Sequence, residues 1–165
     1  GYGKGKTSSA VGLAVRAAGC KKKVLFARFL KNENSGELNI LDSISDIEVL
    51  HLEKSYGFYK TLTEKEKKEV KKLYEALWNE VLRKVSGGSY DVLVMDEFMA
   101  AYRYGLIPNE EALCFLEKKP TGLEVVLTGR DPDLRLVEKA DYVSEICKVK
   151  HPYDRGIRAR RGIEY

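Results

Sequence analysis

Apolar and small residues recur at helical spacing across residues 6–18, at Ala10, Val11, Ala14, Val15 and Ala18, and Gly19 supplies a stop. The period then changes. Residues 23–29 form a short apolar, β-prone run of the kind that fills a buried parallel strand, and a polar stretch through Asn32, Glu33, Asn34 and Gly36 follows as a loop. Residues 47–52 predict a second strand. Residues 54–60 have no clear period and cluster Tyr56, Gly57, Phe58 and Tyr59 in a loop. Thr63 and Glu66 have capping-box spacing, and Val70, Leu73, Tyr74, Leu77, Trp78, Val81 and Val85 then mark one face of a long helix. Its charges, including the Glu64 and Lys68 pair, belong to a solvated face, and Gly87-Gly88 ends it.

Residues 91–95 form a continuous apolar strand that runs into Asp96-Glu97. Pro108 starts a helix at its first position, and residues 124–128 make a strand that ends in Gly129-Arg130. Asp131-Pro132 opens one more short helix, and residues 142–147 read as a last strand. Strands alternating with helices predict an α/β fold, a mostly parallel sheet flanked by helices with right-handed crossovers, as one domain over residues 1–165.

Ahead of the first helix stands Gly1-Tyr2-Gly3-Lys4-Gly5-Lys6-Thr7. Three glycines in five residues, followed by Lys, Thr and Ser8 at the start of a helix, describe a loop whose backbone N–H groups can face phosphate oxygens. Lys6 would reach the outer phosphates as a point charge, and the Thr7 hydroxyl is placed to ligate Mg²⁺. The full P-loop spacing, G-x-x-x-x-G-K-[ST], sets its first glycine one residue before Gly1. Such a loop is also fed by a strand, so we expect a longer protein whose first strand precedes Gly1.

In a parallel α/β sheet, ligands sit at the carboxyl ends of the strands. Asp96-Glu97, after Val92-Leu93-Val94-Met95, is the pattern of a Walker B carboxylate pair that holds Mg²⁺ directly or through water. Acidic residues also cap helices that begin at such a place, and the two uses stand side by side. Arg130 occupies the equivalent end of the next strand, where it would meet a phosphate, the sugar or a surface carboxylate. Tyr56, Phe58 and Tyr59 would line a pocket or fill the core. His51 and His151 are far apart and outside any nucleophile motif, so both read as structural. A chain without an evident general base suits a substrate that brings its own nucleophile and needs positioning, charge stabilisation and a dry pocket.

Composition narrows the context. Hydrophobic residues at 44% and charged residues at 33% are those of a soluble globular protein, and no apolar run approaches the ~20 residues of a membrane span. Cytoplasm is the expected compartment. Cys20, Cys114 and Cys147 are odd in number and not at metal-ligand spacing, as expected of reduced structural thiols. In the tail, Lys148, Lys150, Arg155, Arg158, Arg160 and Arg161 outweigh Asp154 and Glu164, and this stretch alone accounts for the net charge of +4. A basic tail on a neutral body suits phosphate or nucleic acid, so a RecA-like ATPase or nucleotide kinase with a nucleic-acid-binding tail stands as an alternative.

Several separate blocks resemble one family. They are residues 1–10, Gly36-Glu37-Leu38-Asn39, Val94-Met95-Asp96-Glu97, Val126-Leu127-Thr128-Gly129-Arg130, Ala140-Asp141-Tyr142-Val143-Ser144-Glu145, and the ending Lys150-His151-Pro152-Tyr153-Asp154 with Gly156 and Gly162-Ile163-Glu164-Tyr165. Together, and in this order over the whole chain, they resemble the P-loop ATP:corrinoid adenosyltransferases. The resemblance implies a RecA-like P-loop fold and transfer of the 5′-deoxyadenosyl group of ATP to the cobalt of a Co(I) corrinoid such as cob(I)alamin, with release of inorganic triphosphate. It implies that Gly1, Tyr2, Gly3, Lys4, Gly5, Lys6, Thr7, Ser8 and Arg130 bind ATP. Lys4, Lys6 and Glu97 would have catalytic roles, and Thr7, Asp96 and Glu97 would hold Mg²⁺ or Mn²⁺. Phe58, Tyr59 and Tyr56 match the family's corrinoid-binding aromatic loop, with Lys60 where a second aromatic is expected. The family pattern further implies a homodimer and an electron-donating flavoprotein, with neither nucleic acid nor membrane as partner.

Overall fold

Four short apolar runs pair side by side in the computed structural model, which describes residues 1–30, 36–53, 56–57 and 59–163. They are β1 (Val24–Arg28), β2 (Ile47–Leu50), β3 (Val92–Asp96) and β4 (Glu124–Leu127), all parallel, in the order β2-β1-β3-β4. Around them stand α1 (Lys6–Gly19), α2 (Gly36–Leu41), α3 (Glu64–Ser86), α4 (Phe98–Arg103), α5 (Asn109–Lys118) and α6 (Leu134–Glu138).

The two faces of the sheet bury different partners, because successive side chains of a strand point to opposite sides. Val24 and Phe26 of β1 join Val92 and Val94 of β3 against Ala10, Ala14 and Ala18 of α1. Those three alanines fall at i, i+4 and i+8, and their small side chains let the helix lie close to the strands. Val15, an expected core position, is 42% exposed, so the buried stripe of α1 is narrower than its apolar pattern. Leu25, Ala27, Leu93 and Met95 face the other way, into a larger core with Val70, Leu77, Trp78 and Val81 of α3 and Phe98 of α4. Trp78 is wholly buried, with its indole N–H donated to Glu111 at 3.1 Å.

The expected capping box forms at the start of α3. The Thr63 side chain accepts the Glu66 backbone N–H, and the Glu66 carboxylate accepts the Thr63 backbone N–H at 2.8 Å. Glu64 pairs with Lys67 at 2.8 Å, three residues on. Thr63→Ala should lower stability by about 1 kcal/mol. A urea midpoint that does not move would show that the box contributes nothing.

The apolar pattern marks neither of two short helices, α2 and α4, although an acid pair such as Asp96-Glu97 can cap a helix where α4 begins. Each has six residues, less than two turns, which is too short for a 3.6-residue period to register. At α5, Pro108 caps the helix from just outside it, and α6 is capped by Asp133, whose side chain accepts the Arg135 N–H at 2.9 Å.

The expected strand at 142–147 does not form. Tyr142 is 94% exposed, and the segment meets the rest of the fold through the Gly3 N–H, donated to the Ile146 carbonyl at 2.7 Å. On the other side of the same loop, the Gly1 nitrogen lies 3.5 Å from the Gly129 carbonyl. Residues 1–3 thus separate this segment from the end of β4. A strand needs a continuous neighbour for its N–H and C=O groups, and here the neighbour is a loop that turns directly into α1. No helix of the described residues is long and apolar enough to cross a membrane.

Candidate active site

The glycine-rich loop and the acidic strand end meet at the carboxyl edge of the sheet. Gly5 closes the loop at φ 115°, in the left-handed region where a side chain would be strained, and α1 begins at the next residue. Gly3 answers a different demand. A Cβ at that position would lie 2.7 Å from the carbonyl oxygens of Ile146 and Cys147, so only glycine lets the loop pass this close. The first N–H groups of α1 have no intrahelical acceptor, and the positive end of the helix dipole lies there. The Lys6 ammonium folds back over the loop and donates to the Gly3 carbonyl at 3.0 Å. Lys4 and Ser8 are exposed beside it.

Asp96, the last residue of β3, is 0% exposed. Its Oδ2 accepts the Thr7 hydroxyl at 3.1 Å, and its Oδ1 accepts the Thr128 hydroxyl at 2.6 Å. The Thr128 Oγ1 in turn accepts the Glu97 backbone N–H at 3.0 Å. One carboxylate therefore ties the first turn of α1 to the ends of β3 and β4. Glu97 takes a left-handed conformation at φ 56° and precedes α4, so it is a helix-capping position as well as an acid at the strand end. In the sequence Thr128 marks only a strand end, and a hydroxyl beside Gly129 is the signal for its role here.

Arg28 is a site residue that the pattern did not single out. It pairs in register with Asp96, is 3% exposed, and its Nη1 lies 4.0 Å from Glu37 Oε1. Burial lowers its pKa, and the charges of Glu37 and Asp96 act in the opposite direction. An arginine inside an otherwise apolar strand run was the visible clue.

Thr7 and Asp96 offer hard oxygen donors 3.1 Å apart at a helix end suited to anions. A hard divalent cation uses such a pair when phosphate oxygens and water complete its shell. Among the described residues, no three His, Cys, Asp or Glu side chains converge to hold a metal by themselves.

Among the described residues, Arg130 does not pair with a surface carboxylate. Its guanidinium lies over the Tyr2 ring, 5.3 Å from the centroid. Tyr2 donates its hydroxyl to both carboxylate oxygens of Asp131, at 2.8 Å each, and Arg103 donates to Asp131 Oδ2 at 2.7 Å. The Tyr2 and Arg103 bonds hold the Asp131 carboxyl below its ordinary pKa. Arg103 also lies over the Tyr104 ring at 5.4 Å, and Tyr104 stacks on Tyr59 with centroids 4.6 Å apart. The aromatic loop is thereby linked to the glycine loop. Tyr56 donates to Glu69 of α3 at 2.7 Å, and Tyr56 and Tyr59 both pack against the core while staying partly exposed. Phe58 lies outside the described residues.

The remaining candidates are local in role. His151 caps a 3-10 turn, Pro152–Arg155, by accepting the Tyr153 N–H at 3.1 Å, and His51 Nδ1 lies 3.0 Å from the Leu52 carbonyl. In the tail, Lys148 pairs with Asp154 at 2.8 Å. The three cysteines are free, and all three are exposed.

A family model described as ATP:corrinoid adenosyltransferase BtuR/CobO/CobP matches residues 1–165. The chain is 34% identical over 167 residues to the corrinoid adenosyltransferase of Escherichia coli strain K12, covering 100% of this chain and 82% of that protein. It is 33% identical over 167 residues to the corrinoid adenosyltransferase CobA of Salmonella typhimurium, with 82% of that protein covered. A corrinoid adenosyltransferase of Pseudomonas aeruginosa is 32% identical over 166 residues, with 80% of it covered. The match runs through the basic tail as well as the loop, which does not favour the ATPase or nucleotide-kinase alternative. With its all-parallel sheet, its glycine loop at the carboxyl edge and this agreement along its whole length, the chain belongs to the ATP:corrinoid adenosyltransferase family.

Proposed function

We propose that residues 1–165 act as one domain that transfers the 5′-deoxyadenosyl group of ATP to the cobalt of a Co(I) corrinoid. The observation that carries this, in a chain of that family, is the convergence of the glycine loop on a buried carboxylate, Thr7 Oγ1 to Asp96 Oδ2 at 3.1 Å. The electron pair of Co(I) attacks carbon 5′ of the ribose, the C5′–O bond breaks, and its electrons leave with the triphosphate. No proton moves at the reacting carbon, so no protein base is needed. The protein's task is to hold the leaving group and stabilise its growing charge.

Gly1 to Ser8 cradle the triphosphate, with Lys6 and Lys4 supplying positive charge and Arg130 standing at the rim. The Lys6 ammonium, donated to the Gly3 carbonyl at 3.0 Å, already stands over the loop where a phosphate oxygen would be met. Thr7 and Asp96, with Glu97 beside them, would hold Mg²⁺ or Mn²⁺, which supplies Lewis-acid neutralisation of phosphate charge when bound. Tyr59 and Tyr56, together with Phe58, are our candidates for corrinoid contact. We further expect a cytoplasmic homodimer served by an electron-donating flavoprotein, with no nucleic-acid or membrane partner.

The test is direct. Incubation with ATP, Mg²⁺ and chemically reduced cobalamin should yield a light-sensitive Co–C product together with inorganic triphosphate. Release of ADP and phosphate without a Co–C product would overturn the proposal.

A further inference from the structure

The phosphate loop is fastened to the turn after β4 by a polar cluster that the adenosyl-transfer chemistry does not require. Tyr2, the second residue of the loop, is exposed, yet its hydroxyl is shared between both oxygens of Asp131 and its ring lies beneath Arg130. Arg103, at the end of α4, holds Asp131 from the other side at 2.7 Å. Asp131 itself sits at φ 50°, a left-handed conformation that a non-glycine residue keeps only when its surroundings hold it there. Three elements therefore converge on one carboxylate: the loop, the β4 turn and α4.

The consequence concerns Arg130. A long, exposed arginine loses rotamer freedom when it binds an anion, and this cost falls if the side chain is already held in place. The Tyr2 ring offers a flat, electron-rich surface for the guanidinium. That surface stays still only if the ring does, and the Asp131 bond keeps it so.

We propose that Asp131 is a positioning residue for the triphosphate site: through Tyr2, and braced by Arg103, it holds the Arg130 guanidinium at the rim of the phosphate loop. It touches no reacting atom. Its effect passes through Arg130 and falls on affinity for the triphosphate more than on the chemical step. The inference rests on the phosphate-binding role of residues 1–8, and the experiment separates the two.

The probes are ATP and inorganic triphosphate, each with Mg²⁺, measured by calorimetry on the whole chain, with kcat and KM for ATP measured in parallel. Tyr2→Phe keeps the ring and removes the bond, and Asp131→Asn keeps the shape and removes the charge. Each should raise Kd and KM by about three- to fivefold, the range of exposed charge-assisted contacts, a larger change than in kcat. In an Arg130→Ala background the same Tyr2→Phe change should cost nothing further, because the group being positioned is gone. Asp131→Glu, which restores the charge, should recover part of the affinity lost in Asp131→Asn. Equal costs of Tyr2→Phe with and without Arg130, or unchanged Kd in both single variants, would overturn the inference and leave the phosphate loop intact. Wild-type protein that binds neither ATP nor triphosphate would overturn the phosphate reading and this inference with it.

Discussion

Lys6→Ala is expected to lower kcat/KM for ATP by about two to three orders of magnitude, the usual loss when one preorganised group is removed from the site of developing charge. The substitution leaves the fold alone. Lys6 is the first residue of α1, alanine is the better helix former, and the bond from the ammonium to the Gly3 carbonyl is local to the loop. The effect should appear in kcat as well as KM, since charge on the triphosphate grows as the C5′–O bond breaks. Lys6→Arg should recover little, because a planar fork does not replace a compact ammonium at the same reach. Steady-state kinetics with cob(I)alamin decide the point, and a variant with the parent's kcat/KM would exclude Lys6 from the site.

Asp96→Asn should be the second severe loss. The side chain is fully buried and nearly isosteric with asparagine, so packing changes little and the charge is what disappears. Two hydroxyls, from Thr7 and Thr128, are donated to this carboxylate, and the buried Arg28 feels its charge. An amide has one oxygen to offer, so one hydroxyl must turn around, and Arg28 loses part of its compensation. A stability cost of about 1–3 kcal/mol follows from disturbing a buried polar network. The functional loss should be larger, about a hundredfold or more in turnover, with a higher Mg²⁺ requirement, if this carboxylate holds the cation against the phosphates. Turnover is measured across a Mg²⁺ titration, and thermal unfolding of the same samples separates the two effects. Full turnover at the parent's Mg²⁺ concentration would remove Asp96 from any metal role.

The positions of the elements were largely legible in the chain because their cues are local. The capping box at Thr63 and Glu66 works within one turn, and the apolar runs that became β1 and β3 are buried from end to end, so their composition alone marks them. Residues 142–147 show the limit of that logic. Their composition is that of a strand, but a strand exists only as part of a ladder, and among the described residues the loop beside them meets the segment with the Gly3 N–H on the Ile146 carbonyl. Arg28 shows the same limit at the site. Nothing in its sequence neighbourhood says that it will lie opposite Asp96, because parallel register joins residues far apart along the chain.

What the sequence determined by itself was the chemistry on offer: a glycine loop before a helix, an acid pair after an apolar strand, and blocks matching one family from end to end. Gly5 had to be glycine for backbone reasons that hold at any such turn. Only the tertiary structure decided which of these groups meet. It set Thr7 and Thr128 on the two oxygens of Asp96, put Arg130 over Tyr2 instead of beside a surface carboxylate, and fastened Tyr2 to Asp131 across 129 positions of chain. Hydrogen bonds and ring contacts act over a few ångströms in space, and the parallel sheet brings the ends of distant strands to one edge.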